Sequence, residues 1–223
     1  ATGSLHRLGL LLTRGHVLEG LNQIDTLIVD KTGTLTLGKP SLTDTVALGN
    51  VSEADLLAIA AALERGSEHP LAEAIVDGAA ARAVRKLDAT EFEAVTGKGV
   101  KGRVDGRSAA LGNAAMMQEL GLDTASAEAA ADALRASGKT AMFVAIDGAL
   151  AGIVAVADPI KDSTIPAIAA LHALGLRVIM ATGDNERTAR AVAAKLGIDE
   201  VRAGVLPEAK KALIDELRAQ GRK

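Results

Sequence analysis

Two short apolar runs along the chain stop abruptly at polar loops. Residues 25–30, DTLIVD, and 176–184, LRVIMATGD, place aliphatic and β-branched side chains side by side and then close on small polar groups. Such unbroken runs predict fully buried strands of a parallel sheet covered by helices. The covering helices are read at 162–175, 185–197 and 207–221, each opened by a cap residue or a proline and closed by a glycine. Together these segments give a βαβα order.

The middle of the chain changes period. Residues 52–66, SEADLLAIAAALERG, open with Ser52 and Asp55 in a capping-box arrangement, and a second helix follows Pro70. Residues 99–113 alternate around Asp105 and Gly106, and 140–156 alternate around Asp147 and Gly148, so both predict hairpins. The expected fold class is therefore α/β, a parallel sheet into which an α+β unit with an antiparallel sheet is inserted. The proline-bearing loops at 37–42 and 157–163 mark the borders, and two chain crossings there would form a hinge.

Composition narrows the chemistry. The chain has 223 residues, 48% of them apolar, enough for one large core or two smaller ones. A net charge of −3 with scattered lysines and arginines argues against nucleic acid as partner. Cysteine is absent, so disulfides, thiolate metal sites and thiol nucleophiles are excluded. No apolar stretch is long enough to span a membrane, and the first residues lack a cleavable-signal layout.

The chemistry that remains belongs to oxygen and nitrogen groups. A carboxylate at the carboxyl end of a parallel strand lies at the crevice where open α/β sheets bind ligands, so Asp30 is presented to a ligand. It is competent to attack a phosphoryl group, given cations and donors for the phosphate oxygens, and Lys31 with the Gly33 and Thr34 backbone supplies them. Thr and Gly here also serve ordinary turn chemistry. ATGDN, 181–185, ends the second strand at a helix start, where backbone N–H groups and the Thr182 hydroxyl suit phosphate, although Thr-Gly-Asp also opens helices for structural reasons alone.

The string DKTGT, beginning at Asp30, resembles the phosphorylation signature of P-type ATPases, ion pumps built on a haloacid-dehalogenase-like fold. The resemblance implies that Asp30 becomes an aspartyl-phosphate and that Asp30 and the Thr32 carbonyl hold Mg²⁺. It also implies that Thr182 binds phosphate, that Asp184 supports the site, and that Lys210, in a P-E-x-K element, steadies the transferred group. Ala209 stands where the family usually carries Asp. Soluble phosphatases of the same superfamily place a second aspartate where this chain has Thr32; without that base an acyl phosphate should persist. DPIK, 158–161, matches the family's hinge at the return from the inserted unit.

ERGSEHP, 64–70, resembles the nucleotide-binding lobe of heavy-metal-transporting P-type ATPases and, in its Ser-Glu before His-Pro, the copper(I) branch. A histidine before a proline is also an ordinary capping or packing residue. The resemblance implies that His69 lies against adenine and Glu64 bonds its edge, with Gly97 and Gly99 of VTGKGV letting backbone approach the nucleotide and Asn113 of LGN completing the site. With only Phe92 and Phe143 as aromatics, His69 is the expected adenine platform.

The resemblance covers essentially the whole chain. It implies a membrane-proximal leader at 1–21, a partial phosphorylation domain at 22–39 and 158–223, and a nucleotide-binding domain at 40–157. The family's next element, G-D-G-x-N-D, is not in the sequence, so the Mg²⁺ ligand set is expected to be incomplete. The implied activity is that of an ion-translocating ATPase moving a heavy metal, copper by its motif, from the cytoplasmic face of a membrane. ATP and ADP are the implied ligands, and the actuator and transmembrane domains of the pump, which bind the metal, are the implied partners. A soluble phosphatase and a nucleotide-binding module without catalysis are the alternatives.

Overall fold

The structure is a computed structural model that describes residues 23–205 and 209–223. In chain order the strands are β1 (Thr26–Asp30), β2 (Ser41–Ala47), β3 (Ala89–Val95), β4 (Gly99–Val104), β5 (Arg107–Gly112), β6 (Thr140–Ile146), β7 (Ala149–Ala157), β8 (Arg177–Ala181) and β9 (Glu200–Arg202). The helices are α1 (Glu53–Glu64), α2 (Pro70–Ala81), α3 (Ala114–Glu119), α4 (Ala125–Ala136), α5 (Thr164–Ala173), α6 (Glu186–Leu196) and α7 (Ala209–Ala219). The leader expected at 1–21 lies outside the described residues, as do positions 206–208 of the P-E-x-K element.

Two sheets form, as the change of period predicts. The first is parallel, in the order β1-β8-β9, and the second is six-stranded and antiparallel, in the order β2-β7-β6-β5-β4-β3. Alternation along β8 explains why the parallel sheet needs helices on both faces. Val178 and Met180 pack with Ile168, Ala189, Val192 and Leu196 of α5 and α6, whereas Ile179 and Ala181 meet Leu213 and Leu217 of α7. Each of the Val, Ile, Leu and Met side chains here contributes about 1.5–3 kcal/mol on full burial.

β1 corrects the expectation of a fully buried strand: its residues are half-buried and Asp30 is exposed. It pairs with β8 and, among the described residues, with no strand on its other side.

Both Asp-Gly hairpins form as expected. Asp105 and Gly106 have φ of 53° and 74°, and Asp147 and Gly148 have 48° and 74°, the left-handed pair that a two-residue turn of matching twist requires. β2 and β3 carry no comparable signal because they are the outermost strands, paired on one side only, β2 half-buried along most of its length and β3 mostly exposed.

The antiparallel sheet is covered on both faces. α1 and α2 pack on Val100, Val104, Leu111, Val144, Val154 and Val156, and Met116, Met117, Ala127 and Ala131 of α3 and α4 pack on Phe143, Ala145 and Ile153. α1 packs against both the sheet and α2, which lies beside it on the same face, and every residue from Leu56 to Glu64 is buried, a run that ends on a carboxylate. The Ser52 hydroxyl accepts the Asp55 N–H at the start of α1, as the capping box predicts.

The chain crosses between the sheets twice, and the crossings are tied together. The Leu37 N–H donates to the Pro159 carbonyl (2.9 Å) and the Lys161 N–H to the Leu35 carbonyl (3.1 Å). Farther away, the Thr188 hydroxyl of α6 donates to the Lys139 carbonyl (2.7 Å) and the Lys195 ammonium to the Ser137 carbonyl (3.0 Å), so α6 also carries the corner between α4 and β6.

Candidate functional site

Asp30 ends β1 in register with Ala181 of β8, so the loops that follow the two strands emerge side by side. Lys31–Leu35 is a tight turn with Gly33 at φ 75°, stapled by Thr36, whose hydroxyl accepts the Gly33 N–H (3.2 Å) and whose own N–H donates to the Lys31 carbonyl (3.1 Å). Lys31 is buried, and its ammonium forms an ion pair with Asp184. The two loops are thereby locked by charge, and Asp184 also holds its backbone carbonyl on the Gly204 N–H (3.0 Å).

Thr182 is buried and its hydroxyl accepts the Asp184 N–H (3.2 Å), while Asn185 caps α6 through the Arg187 N–H (2.8 Å). Lys210 falls in the first turn of α7, and its side chain lies outside the described part of the structure. A hollow of about 600 Å³ opens beside Asp184, between Arg202, Gly204 and Leu213.

Two residues of the DPIK element do more than turn the chain. Asp158 accepts the Thr36 hydroxyl (2.5 Å) and the Lys39 N–H (3.0 Å), and the Lys161 ammonium donates to the Gly33 carbonyl (2.7 Å). The return strand thus holds the turn after Asp30 from outside. Sequence reasoning assigned this element to the hinge alone; the pairing across 122 positions leaves no local signal.

The inserted unit carries a second cluster. A cleft of about 400 Å³ is lined by Glu64, Ser67, Glu68, His69 and Glu73. Glu64 is only 5% exposed, and its Oε2 has no hydrogen-bond partner. Burial pushes its carboxyl pKa up, against a smaller opposing pull from the Ser67 hydrogen bond. The His69 Nδ1 accepts the Leu71 N–H (3.2 Å) and caps α2, and partial burial pushes the imidazole pKa down. His69 therefore fulfils the capping role as well as lining the cleft.

A raised pKa favours the neutral carboxyl in the folded chain. Glu64 therefore supports folding fully below its ordinary value of 4.5, and that support is lost as pH rises through its folded value. Glu64→Gln is accordingly expected to stabilise the ligand-free chain at pH 7 by roughly 1 kcal/mol, an advantage that disappears near pH 4. Thermal unfolding of both proteins at the two pH values checks this.

Gly97, Gly99 and Asn113 form a third group. The Asn113 side chain accepts the Met116 N–H (3.0 Å), capping α3, and donates to the Gly97 carbonyl (2.9 Å). The glycines differ. Gly97 has φ 71° and open space where a Cβ would point, whereas a Cβ on Gly99 would stand 2.1 Å from the Leu111 carbonyl oxygen. Gly99 thus has a packing reason to lack a side chain, independent of any ligand. No hydrogen bond among the described residues joins this group to Glu64 or His69.

The haloacid dehalogenase-like hydrolase family matches residues 24–223, and the chain belongs to that family. Within it, the chain is similar to a copper-transporting P-type ATPase of Rhizobium leguminosarum bv. viciae, 63% identical over 221 residues that make up 99% of this chain and 26% of that protein. A silver exporting P-type ATPase of Salmonella typhimurium is 47% identical over 213 residues, 96% of this chain and 26% of that protein.

Among solved structures, a zinc-transporting PIB-type ATPase in the E2.Pi state matches with a TM-score of 0.68 at 34% identity, over 98% of this chain and 35% of that one. The catalytic domain of a CPx-ATPase, solved for its conformational changes upon nucleotide binding, matches with a TM-score of 0.71 at 27% identity, over 100% of this chain and 77% of that one. The chain spans about a quarter of the length of the curated relatives it matches. Among the described residues no helix is long and apolar enough to cross a membrane.

Proposed function

We propose that this chain is the ATP-binding and phosphorylation unit of a heavy-metal-transporting P-type ATPase of the copper type. The observation that carries the reading is the presentation of Asp30, exposed at the end of β1 and flanked by the loop of Thr182 and Asp184. On this reading residues 22–39 and 158–223 form the phosphorylation domain, 40–157 the nucleotide-binding domain and 1–21 the approach to the membrane. The rest of the pump supplies the actuator and the metal-bearing membrane helices, and this unit faces the cytoplasm.

ATP binds with adenine in the Glu64 and His69 cleft and its triphosphate directed toward Asp30 as the two lobes close. An Asp30 oxygen attacks the γ-phosphorus, the bond from that phosphorus to the β,γ-bridging oxygen breaks, and ADP departs with the electron pair. The Thr182 hydroxyl and the neighbouring N–H groups hold phosphate oxygens, Lys210 contributes positive charge, and Gly97, Gly99 and Asn113 shape the nucleotide site.

The residues around Asp30 fit Mg²⁺ in part. Asp30 and the Thr32 carbonyl would hold the ion, with phosphate and water oxygens as its further ligands. Bound there, Mg²⁺ would screen the repulsion between carboxylate and phosphate. Asp184 is committed to Lys31, and no group of three or more acidic or histidine side chains suited to a metal occurs among the described residues.

Incubation with γ-labelled ATP and Mg²⁺ followed by acid quench tests the assignment. The expected result is a hydroxylamine-labile label well below one per chain, abolished by Asp30→Asn. Label that survives Asp30→Asn would refute Asp30 as acceptor, and stoichiometric label would refute the shortage of Mg²⁺ ligands.

A further inference from the structure

The two lobes have separate cores. The inserted unit packs around α1 on one face of its sheet and Phe143 on the other, the parallel sheet packs around Val178, Met180 and α6, and among the described residues the clusters share no side chain. No common core therefore fixes how the lobes are set against each other. Away from the two chain crossings, that setting falls to α6 and the corner at 137–139.

This contact is specific. The hydroxyl of Thr188, a residue only 1% exposed, donates to the Lys139 carbonyl (2.7 Å), and the Lys195 ammonium donates to the Ser137 carbonyl (3.0 Å). Between these two, Gly138 at φ 82° turns the chain so closely over α6 that an added Cβ would stand 3.2 Å from the Val192 side chain. The Lys139 ammonium in turn pairs with Asp44 (2.7 Å) on β2, the strand that follows the first crossing. The corner is thus tied to α6 by its backbone and to the edge of its own sheet by a side chain. α6 starts at Glu186, two residues after Asp184, so the helix that grips the inserted unit is continuous with the loop beside Asp30.

We propose that α6 is an interlobe latch, in which Thr188 and Lys195 hold the 137–139 corner and restrain the swing of the inserted unit about the chain crossings. A rigid swing about the crossings carries the corner off α6 and breaks both hydrogen bonds. Once parted, the hydroxyl, the ammonium and the two carbonyls can all be solvated, so opening leaves no buried polar group stranded. A small polar contact between lobes with separate cores suits a reversible closure rather than a permanent seam. The latch does not depend on what either lobe binds.

The absence of cysteine allows clean labelling of the intact chain. Spin labels on Gln118→Cys in α3 and Ala173→Cys in α5, both exposed positions, report the distance between the lobes by double electron–electron resonance. One narrow distribution is expected with the latch intact. Lys195→Met, a change at an exposed position, is expected to raise the weight of displaced orientations about fivefold, and Thr188→Val added to it about fivefold again, the scale of one hydrogen bond each. Thr188→Ser keeps the hydroxyl and should preserve the narrow distribution. An unchanged distribution in the folded double variant, or in Lys195→Met alone where the double variant does not fold, would overturn the latch. Equal broadening by Thr188→Ser would overturn the role of the hydroxyl in it.

Discussion

Gly99→Ala is expected to destabilise the protein by about 3 kcal/mol, the scale of overpacking against groups that cannot yield. The new methyl would stand 2.1 Å from the Leu111 carbonyl oxygen and 2.6 Å from the Gly112 Cα, both backbone atoms of the neighbouring strand. Relief would require β4 to separate from β5 at its first residue, where Gly99 pairs with Gly112. Gly97→Ala is the matched control. Its φ of 71° costs about 1 kcal/mol for a non-glycine residue, but its methyl meets nothing within 4 Å. Urea unfolding of the three proteins separates the two effects. The contrast also bears on the nucleotide, because reduced ATP affinity in a folded Gly97 variant reports on the site, whereas the same loss at Gly99 would report on the sheet.

Asp184→Ala is expected to cost about 2 kcal/mol, because it strands the Lys31 ammonium in a site where that residue is only 6% exposed. Asp184 keeps a fifth of its side chain in solvent, so the penalty falls short of that for a fully enclosed pair. Lys31→Met combined with Asp184→Leu should recover most of the loss, since two apolar groups leave no charge unpaired. Chemical denaturation of the single and double variants checks both statements. A phosphate arriving at Asp30 would compete with Asp184 for the same ammonium, which couples occupancy of the site to the lock between its two loops.

Much of this architecture was legible because its signals are local. The run before Asp30 and the run before Thr182 identify β1 and β8, and Asp105-Gly106 and Asp147-Gly148 identify two hairpins that form as expected. α4 shows why other elements were silent. Thr124 at its start makes no capping bond with its side chain, and Asp123, one residue earlier, accepts the Ala125 N–H instead. What remained hidden depends on distant partners. The burial of Glu64 follows from α1 packing against both the sheet and α2, the pairing of Lys31 from the register of β1 with β8, and the position of Phe92 from a bulge that no periodicity announces. The expectation that β1 is buried failed for a similar reason, because an apolar run records what a strand can pack against without recording how many strands flank it.

Calorimetric titration of ATP into the intact chain and into His69→Asn tests the central claim, that the cleft at 64–69 binds the nucleotide that serves Asp30. Asparagine keeps the cap that His69 gives to Leu71 and removes the imidazole, so a change in affinity is not confounded by a frayed α2. The account predicts one site per chain and a loss of about 1–2 kcal/mol in the variant, the scale of one stacking and hydrogen-bonding partner. Equal affinity in a folded His69→Asn chain, or no heat of binding in the wild type, would contradict it.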